Sequence, residues 1–503
     1  MSPTLIITLI VAYFLVLIAI SYFTSRNAGN DAFFVGERKS PWYLVSFGMI
    51  GASLSGVTFL SVPGWVGSAT NQMSYMQVVF GYFIGYIVVA YVLMPIYYRM
   101  NLTSIYEYLE ERFGWWSYKT GAVFFLLSRV LGSAIRLMLV AQVLQSVIFD
   151  AYGIPFWVTT IVSVLLIWIY TNRGGIKTIV WTDTFQTAFM LLSVILTVIL
   201  VADALELKQS IVSTVVDSNY SQVFFTDDFM SKNHFLKSFL GGMFITIGMT
   251  GLDQDMMQKN LSCKSIGEAK KNMMSMATVL VIVNFLFLGL GALLYMYAEQ
   301  FGVSFDSSDQ LFSTIAMSGD LHVMVGMLFI LGLIAAAYSS ADSALTALTT
   351  SFYVDILGKK SNKESQNKES EKLRKLVHIG VSITMIIVVI IVNATMDKSA
   401  IDLVLLFAGF TYGPLIGLFF FGILTKTAIK DNHVPIVSVL AIVITVALWY
   451  FSASGPGANS DGTGIFGAYK FGAELIVVNS IISFFGLYLT AKLLNRKHEN
   501  TIG

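Results

Sequence analysis

From its first residues onward, the chain alternates long apolar runs with short polar ones. Thirteen apolar runs stand out, at 4–23, 42–68, 77–97, 120–148, 156–171, 177–203, 236–257, 272–299, 321–353, 376–395, 399–424, 434–453 and 472–491. Each is near the ~20 residues that an α-helix needs to cross a hydrocarbon layer. Inside lipid, backbone amides find no water, so helices are the expected form. The pattern predicts an all-α integral membrane protein of about 13 transmembrane helices. The first run has no basic leader and the length of a full span, so it reads as a helix rather than a cleaved signal. The whole of 1–503 reads as one membrane domain, with no appended soluble domain.

Several runs are interrupted. FGMIGASLSGVTFLSVPGWVG, 47–67, carries glycines at 48, 51, 56, 64 and 67 and a proline at 63. SFLGGMFITIGMTGLDQD, 238–255, is broken in the same way. Broken helices are tolerated in membranes where they line a cavity and their freed carbonyls find a partner. Paired broken helices in two halves of a chain point to a transporter's central site.

Three charges lie in the apolar runs: Arg136, Asp183 and Asp342. Each costs ~2.5–3.5 kcal/mol at mid-membrane on insertion scales and marks a functional site by default. Asp342 falls within IAAAYSSADSALTAL, 334–348, beside Ser339, Ser340 and Ser343. Small-residue helix packing explains the alanines of this stretch, but packing has no need of a carboxylate. Hydroxyls and freed carbonyls suit a hard monovalent cation. Arg136 offers a planar fork for a carboxylate, either that of a solute or an internal partner such as Asp183 or Asp342. Arg129, two turns away, reads as a gate or snorkelling residue.

Composition narrows the class further. The chain is 56% hydrophobic and 12% charged, with a mean hydropathy of +0.73. One cysteine excludes an internal disulfide, and five scattered histidines offer no metal spacing. No phosphate-binding glycine motif and no nucleophile–base pair is present. With the N-terminus outside, 24 of the 31 lysines and arginines fall in inner loops and 5 in outer loops. Inner loops attract such residues, so this orientation is expected, with the C-terminus cytoplasmic. The run NKESQNKESEKLRK, 362–375, reads as a solvated linker, and SGPGANSDGTG, 454–464, as a flexible outer loop.

Three segments in order carry a family resemblance: YTNRGGIKTIVWTDTFQ at 170–186, GLDQDMMQKNLSCKSIGEAKKN at 251–272 and AAAYSSADSALTALTTSFYVDIL at 335–357. Together they resemble the solute:sodium symporter family, and the site residues are nearest to its bacterial sialic acid branch. The resemblance implies a LeuT-type fold of two inverted five-helix repeats, 42–203 and 236–424. An extra helix at 4–23 and two at 434–491 complete the chain. It implies a general sodium site from the carbonyls of Gly51, Leu54 and Ala336 and the hydroxyls of Ser339 and Ser340. It implies a second sodium site at Asp183, Ser339, Asp342 and Ser343. The family pattern has serine at 342. Asp342 departs from it, making the site more anionic and leaving proton coupling or a nearby cation partner open. The implied solute contacts are Ser55, Thr58, Gln77, Arg136 and Thr246.

The expected function is sodium-coupled import of a small polar solute across the cell (inner) membrane by alternating access, with one or two Na+. A carboxylated sugar such as sialic acid is the first expectation. A neutral sugar, polyol or other organic acid is the alternative, and a sodium-responsive sensor a remote one. The expected partners are the solute and the bilayer. No enzyme activity, organic cofactor, nucleic acid or obligatory protein partner is expected.

Overall fold

The computed structural model describes residues 3–25, 33–34, 38–171, 175–319, 321–359, 368–395 and 399–502. Of the loop cations, Arg26, Arg173, Lys360, Lys363 and Lys398 lie outside these residues, as do 172–174 of the YTNRGG segment and 362–367 of the charged linker. Among the described residues the secondary structure is helical apart from two isolated bridges. The principal helices are α1 (Pro3–Ser25), α2 (Trp42–Ser53), α3 (Gly56–Trp65), α4 (Tyr75–Val88), α5 (Trp115–Leu144), α6 (Phe156–Thr171), α7 (Ile176–Ala204) and α8 (Phe235–Thr246). They continue with α9 (Gln254–Leu261), α10 (Ile266–Phe301), α11 (Val323–Ser351), α12 (Lys368–Thr395), α13 (Ala400–Thr411), α14 (Gly413–Leu424), α15 (Val434–Tyr450) and α16 (Leu475–Ile502).

Among the described residues, eight helices are long and apolar enough to cross a membrane. Three further crossings are bent pairs: α2 with α3 at 56°, Phe235–Gly251 with α9 at 62°, and α13 with α14 at 44°. The first two bends were expected from glycine and proline, and the third was not. Two of the expected runs form shorter apolar helices, Phe156–Thr171 and Leu475–Ala491.

Local chemistry sets the breaks. Pro63 lies inside α3, where it has no N–H to donate. Asp253 caps α9 by accepting from the Asp255 amide at 2.9 Å, which restarts the helix after the second break. The charged linker differs from expectation from Lys368 onward, where the chain is helical and Glu371 pairs with Lys375 at 2.7 Å one turn apart. The 454–464 loop is a string of turns bonded back to the end of α15, with the Gly457 amide on the Tyr450 carbonyl at 2.9 Å.

Around the centre, α7 packs along α11 and α2, and α8 packs along α4. The half-helices α3 and α9 both touch α11. Both breaks therefore meet the polar face of α11.

Candidate functional site

The first break falls at Leu54 and Ser55, whose backbones leave the helical region (φ −86°, ψ 82° and φ −78°, ψ 178°). The last carbonyls of α2 thus have no partner one turn on. Among the described residues, no side chain donates to the carbonyls of Gly51 or Leu54. The second break is treated differently: Tyr97 donates to the Gly251 carbonyl at 2.8 Å and Tyr106 to that of Leu252 at 2.9 Å. One break is sealed by tyrosines and the other presents open carbonyls.

Opposite those carbonyls stands α11, with Ala336 one turn before Ser340. Close approach is possible because position 51 is glycine: a Cβ there would collide with the Thr187 hydroxyl, and would lie 3.4 Å from Ser339 Oγ. The Ser340 hydroxyl is buried and has no hydrogen-bond partner. Burying a hydroxyl unpaired costs about 1–3 kcal/mol, so this group is in place for something else. The structure brings together Gly51 and Ser339, with Leu54 at the break and Ala336 and Ser340 on the facing helix.

The second expected set surrounds Asp183, which is fully buried on α7. Ser339 donates to Asp183 Oδ1 at 2.9 Å. The one Ser343 hydroxyl proton is shared between the Ser339 carbonyl at 3.0 Å and Asp342 Oδ1 at 3.2 Å. Two neighbours come from outside the expected set. Tyr170 on α6 donates to Asp342 Oδ2 at 2.9 Å, and Lys259 on α9 places Nζ 2.7 Å from Asp183 Oδ2.

Lys259 was counted in sequence as an inner-loop cation. In the structure it is 1% exposed and part of a buried chain of charges. Its Nζ is also 4.0 Å from Asp255, which pairs with Arg129. Arg129 lies 3.8 Å from Asp253 too, and Tyr412 donates to Asp253 at 2.6 Å. Arg129 is therefore a buried, paired residue and not a snorkelling one, because α9 supplies two carboxylates beside it.

Beside this chain lies a cavity of about 110 Å³ between the two breaks. Ser55, Thr58, Arg136 and Thr246 line it, together with Tyr75, Tyr82, Tyr86 and Arg129. The Tyr75 and Tyr82 hydroxyls are 3.2 Å apart. Among the described residues, Arg136 has no carboxylate within ion-pair distance, and its Nε is buried without a partner. The internal pairing with Asp183 or Asp342 is not formed. Gln77 does not line the cavity. Its amide donates to the Asn233 carbonyl at 2.9 Å and accepts from the Phe225 amide at 3.1 Å, which fastens the 217–234 loop to α4. Beyond Leu405, which borders both spaces, lies a vestibule of about 350 Å³ flanked by Trp65 and by the Lys232–Asp402 ion pair at 3.1 Å.

Two broken helices that meet a polar helix beside a small cavity are the arrangement of an ion-coupled secondary transporter of the LeuT-type fold. The likeness to solved structures supports that fold. A Na+-coupled sialic acid symporter in a substrate-bound outward-open state superposes with a TM-score of 0.80 over 97% of this chain and 98% of that one, at 22% identity. A nucleobase-cation-symport transporter gives 0.57 over 92% of this chain and 95% of that one, at 13% identity. The sodium:solute symporter family model matches residues 33–431, and the chain belongs to that family.

Curated relatives include a sodium/sialic acid symporter of Aliivibrio fischeri, 28% identical over 86% of this chain and 85% of its own length. A sodium/sialic acid symporter of Proteus mirabilis is 26% identical over 84% and 85%. The human sodium-coupled monocarboxylate transporter 1 is 24% identical over 85% and 70%.

Proposed function

We propose that this chain imports a carboxylated solute together with sodium, and that Arg136 is the clamp for the carboxylate. The observation that carries the reading is the half-buried Arg136 at a cavity between the two breaks, its Nε buried without a partner and, among the described residues, no carboxylate within ion-pair distance. A cation so placed is costly unless an anion completes it. A neutral sugar or polyol gives it no such completion. Ser55, Thr58 and Thr246 would supply hydroxyls to the rest of the solute, and the three tyrosines an amphipathic wall.

Sialic acid is the first candidate, supported by the names of two relatives and of a fold neighbour. A smaller monocarboxylate is the second reading. The cavity volume of about 110 Å³ favours it, being below the ~300 Å³ at which pockets for larger ligands begin. The human relative's name points the same way.

The general sodium site is assigned to the carbonyls of Gly51, Leu54 and Ala336 and the hydroxyls of Ser339 and Ser340. Sodium there would tie α2 to α11 and favour the state ready for solute. Each positive charge moved inward gains ~2.3 kcal/mol at 100 mV. We assign 42–203 and 236–424 as the inverted repeats, with the N-terminus outside and the C-terminus in the cytoplasm of a cell whose inner membrane holds the protein.

The test is uptake of labelled sialic acid into proteoliposomes under an inward Na+ gradient, compared with K+, with short monocarboxylates as competitors. Sodium-driven uptake that is lost in Arg136→Ala supports the clamp. Competition by a short monocarboxylate with no sialic acid uptake selects the second reading. Sodium-driven uptake of neutral sugars alone would overturn the carboxylate assignment.

A further inference from the structure

We propose that Lys259 is a built-in cation holding the place of a second sodium ion, so that one sodium accompanies each solute. The inference deepens the reading above and rests on it.

The two expected sodium sets differ in one respect. The general set has open carbonyls and a buried hydroxyl without a partner, Ser340. In the second set three of the four carboxylate oxygens have a donor of their own. Asp183 Oδ1 accepts from Ser339 and Oδ2 from Lys259, Asp342 Oδ2 accepts from Tyr170, and Asp342 Oδ1 shares the Ser343 proton with the Ser339 carbonyl. An ammonium is a compact point charge with three donors, and in this respect is the side chain most like a small cation.

Charge gives the second argument. Asp183 and Asp342 bring two negative charges to this corner. Lys259 and one sodium in the adjoining general set, which shares Ser339, bring two positive ones. Lys259 lies within electrostatic reach of Asp342 as well as Asp183. Asp255, its third acidic neighbour, shares Arg129 with Asp253.

Placement adds a third. Lys259 rides on α9, the half-helix beyond the second break, whereas Asp183 and Asp342 sit on α7 and α11. The ion pair thus ties this half-helix to the two helices beside it. A bound sodium ion would leave at each turnover. A tethered ammonium stays, so it carries no net charge through the cycle.

With a monoanionic solute and one sodium, import moves no net charge. With two sodium ions, one positive charge crosses per solute. At 100 mV that charge is worth about fifty-fold in accumulation. The experiment measures ²²Na+ and labelled carboxylate entering proteoliposomes, at zero and at inside-negative potential, for wild type and Lys259→Gln. The expected wild-type result is a one-to-one flux ratio and accumulation independent of potential. Lys259→Gln frees the two carboxylates, and its sodium dependence is expected to turn cooperative, with uptake responding to potential. A wild-type ratio of two to one, or fifty-fold potential-driven accumulation, overturns the proposal while leaving sodium symport standing. Absence of sodium-driven uptake of any carboxylate by wild type overturns the functional reading itself. If Lys259→Gln fails to fold, the wild-type flux ratio alone decides.

Discussion

Gly51 on α2 lies so close to Thr187 on α7 that a single methyl group at position 51 would collide with the threonine hydroxyl. Ser339 of α11 is the next neighbour, 3.4 Å from where that methyl would stand. The absence of a side chain at 51 therefore sets the distance between a broken helix and the hydroxyls that face it. Gly51→Ala is expected to lower stability by about 1–3 kcal/mol, as overpacking does in well-filled interiors. It is also expected to weaken sodium binding by forcing α2 away from Ser339. Adding Thr187→Ala should return part of both. Thermal unfolding in Na+ and in K+ measures the two effects together, and unchanged values for the single variant would refute the packing argument.

Arg136 separates solute binding from sodium binding. Charged hydrogen bonds are worth about 1.5–3 kcal/mol each. Arg136→Ala is thus expected to raise the KM for the carboxylate by more than tenfold, with Na+-dependent stabilisation kept. Arg136→Lys keeps the charge but not the fork, and is expected to fall between. Equal loss of sodium and solute binding would mean that Arg136 supports the fold rather than the solute.

Gln77 makes the contrasting case. Both ends of its amide are spent on the 217–234 loop, at Asn233 and Phe225. Gln77→Ala is expected to cost about 1–3 kcal/mol of stability through the loop groups left unpaired. KM should move by less than about threefold. A large KM change with unaltered stability would place Gln77 at the solute after all.

The sequence exposed what depends on local chemistry. Apolar length marked the crossings, and glycine with proline marked the first two breaks. The bend at Tyr412–Gly413 offered only one Gly-Pro pair inside an apolar run and passed as straight. Asp183, Asp342 and Arg136 were visible because charge is rare in such runs. Lys259 was hidden by company: it stands near Lys264, Lys270 and Lys271 and was counted with them as an inner-loop cation. A signal was available in DQDMMQK, where two methionines and a glutamine separate Asp255 from a lysine one turn on. The cavity tyrosines gave none, since an aromatic residue in an apolar helix reads first as core. Gln77 misled for the opposite reason, because a polar side chain in such a helix can serve a loop carbonyl as well as a ligand.

Ser340 tests the central claim most directly, because the measurement needs no solute. Its hydroxyl is buried and unpartnered beside open carbonyls, and the account makes it a sodium ligand. The measurement is the thermal stability of purified protein titrated with Na+ against K+, for wild type and Ser340→Ala. Saturable stabilisation by Na+ is expected in wild type, with at least a tenfold weaker apparent affinity in the variant, as loss of one charge-assisted contact implies. Equal behaviour in Na+ and K+, or a variant titrating like wild type, would contradict it.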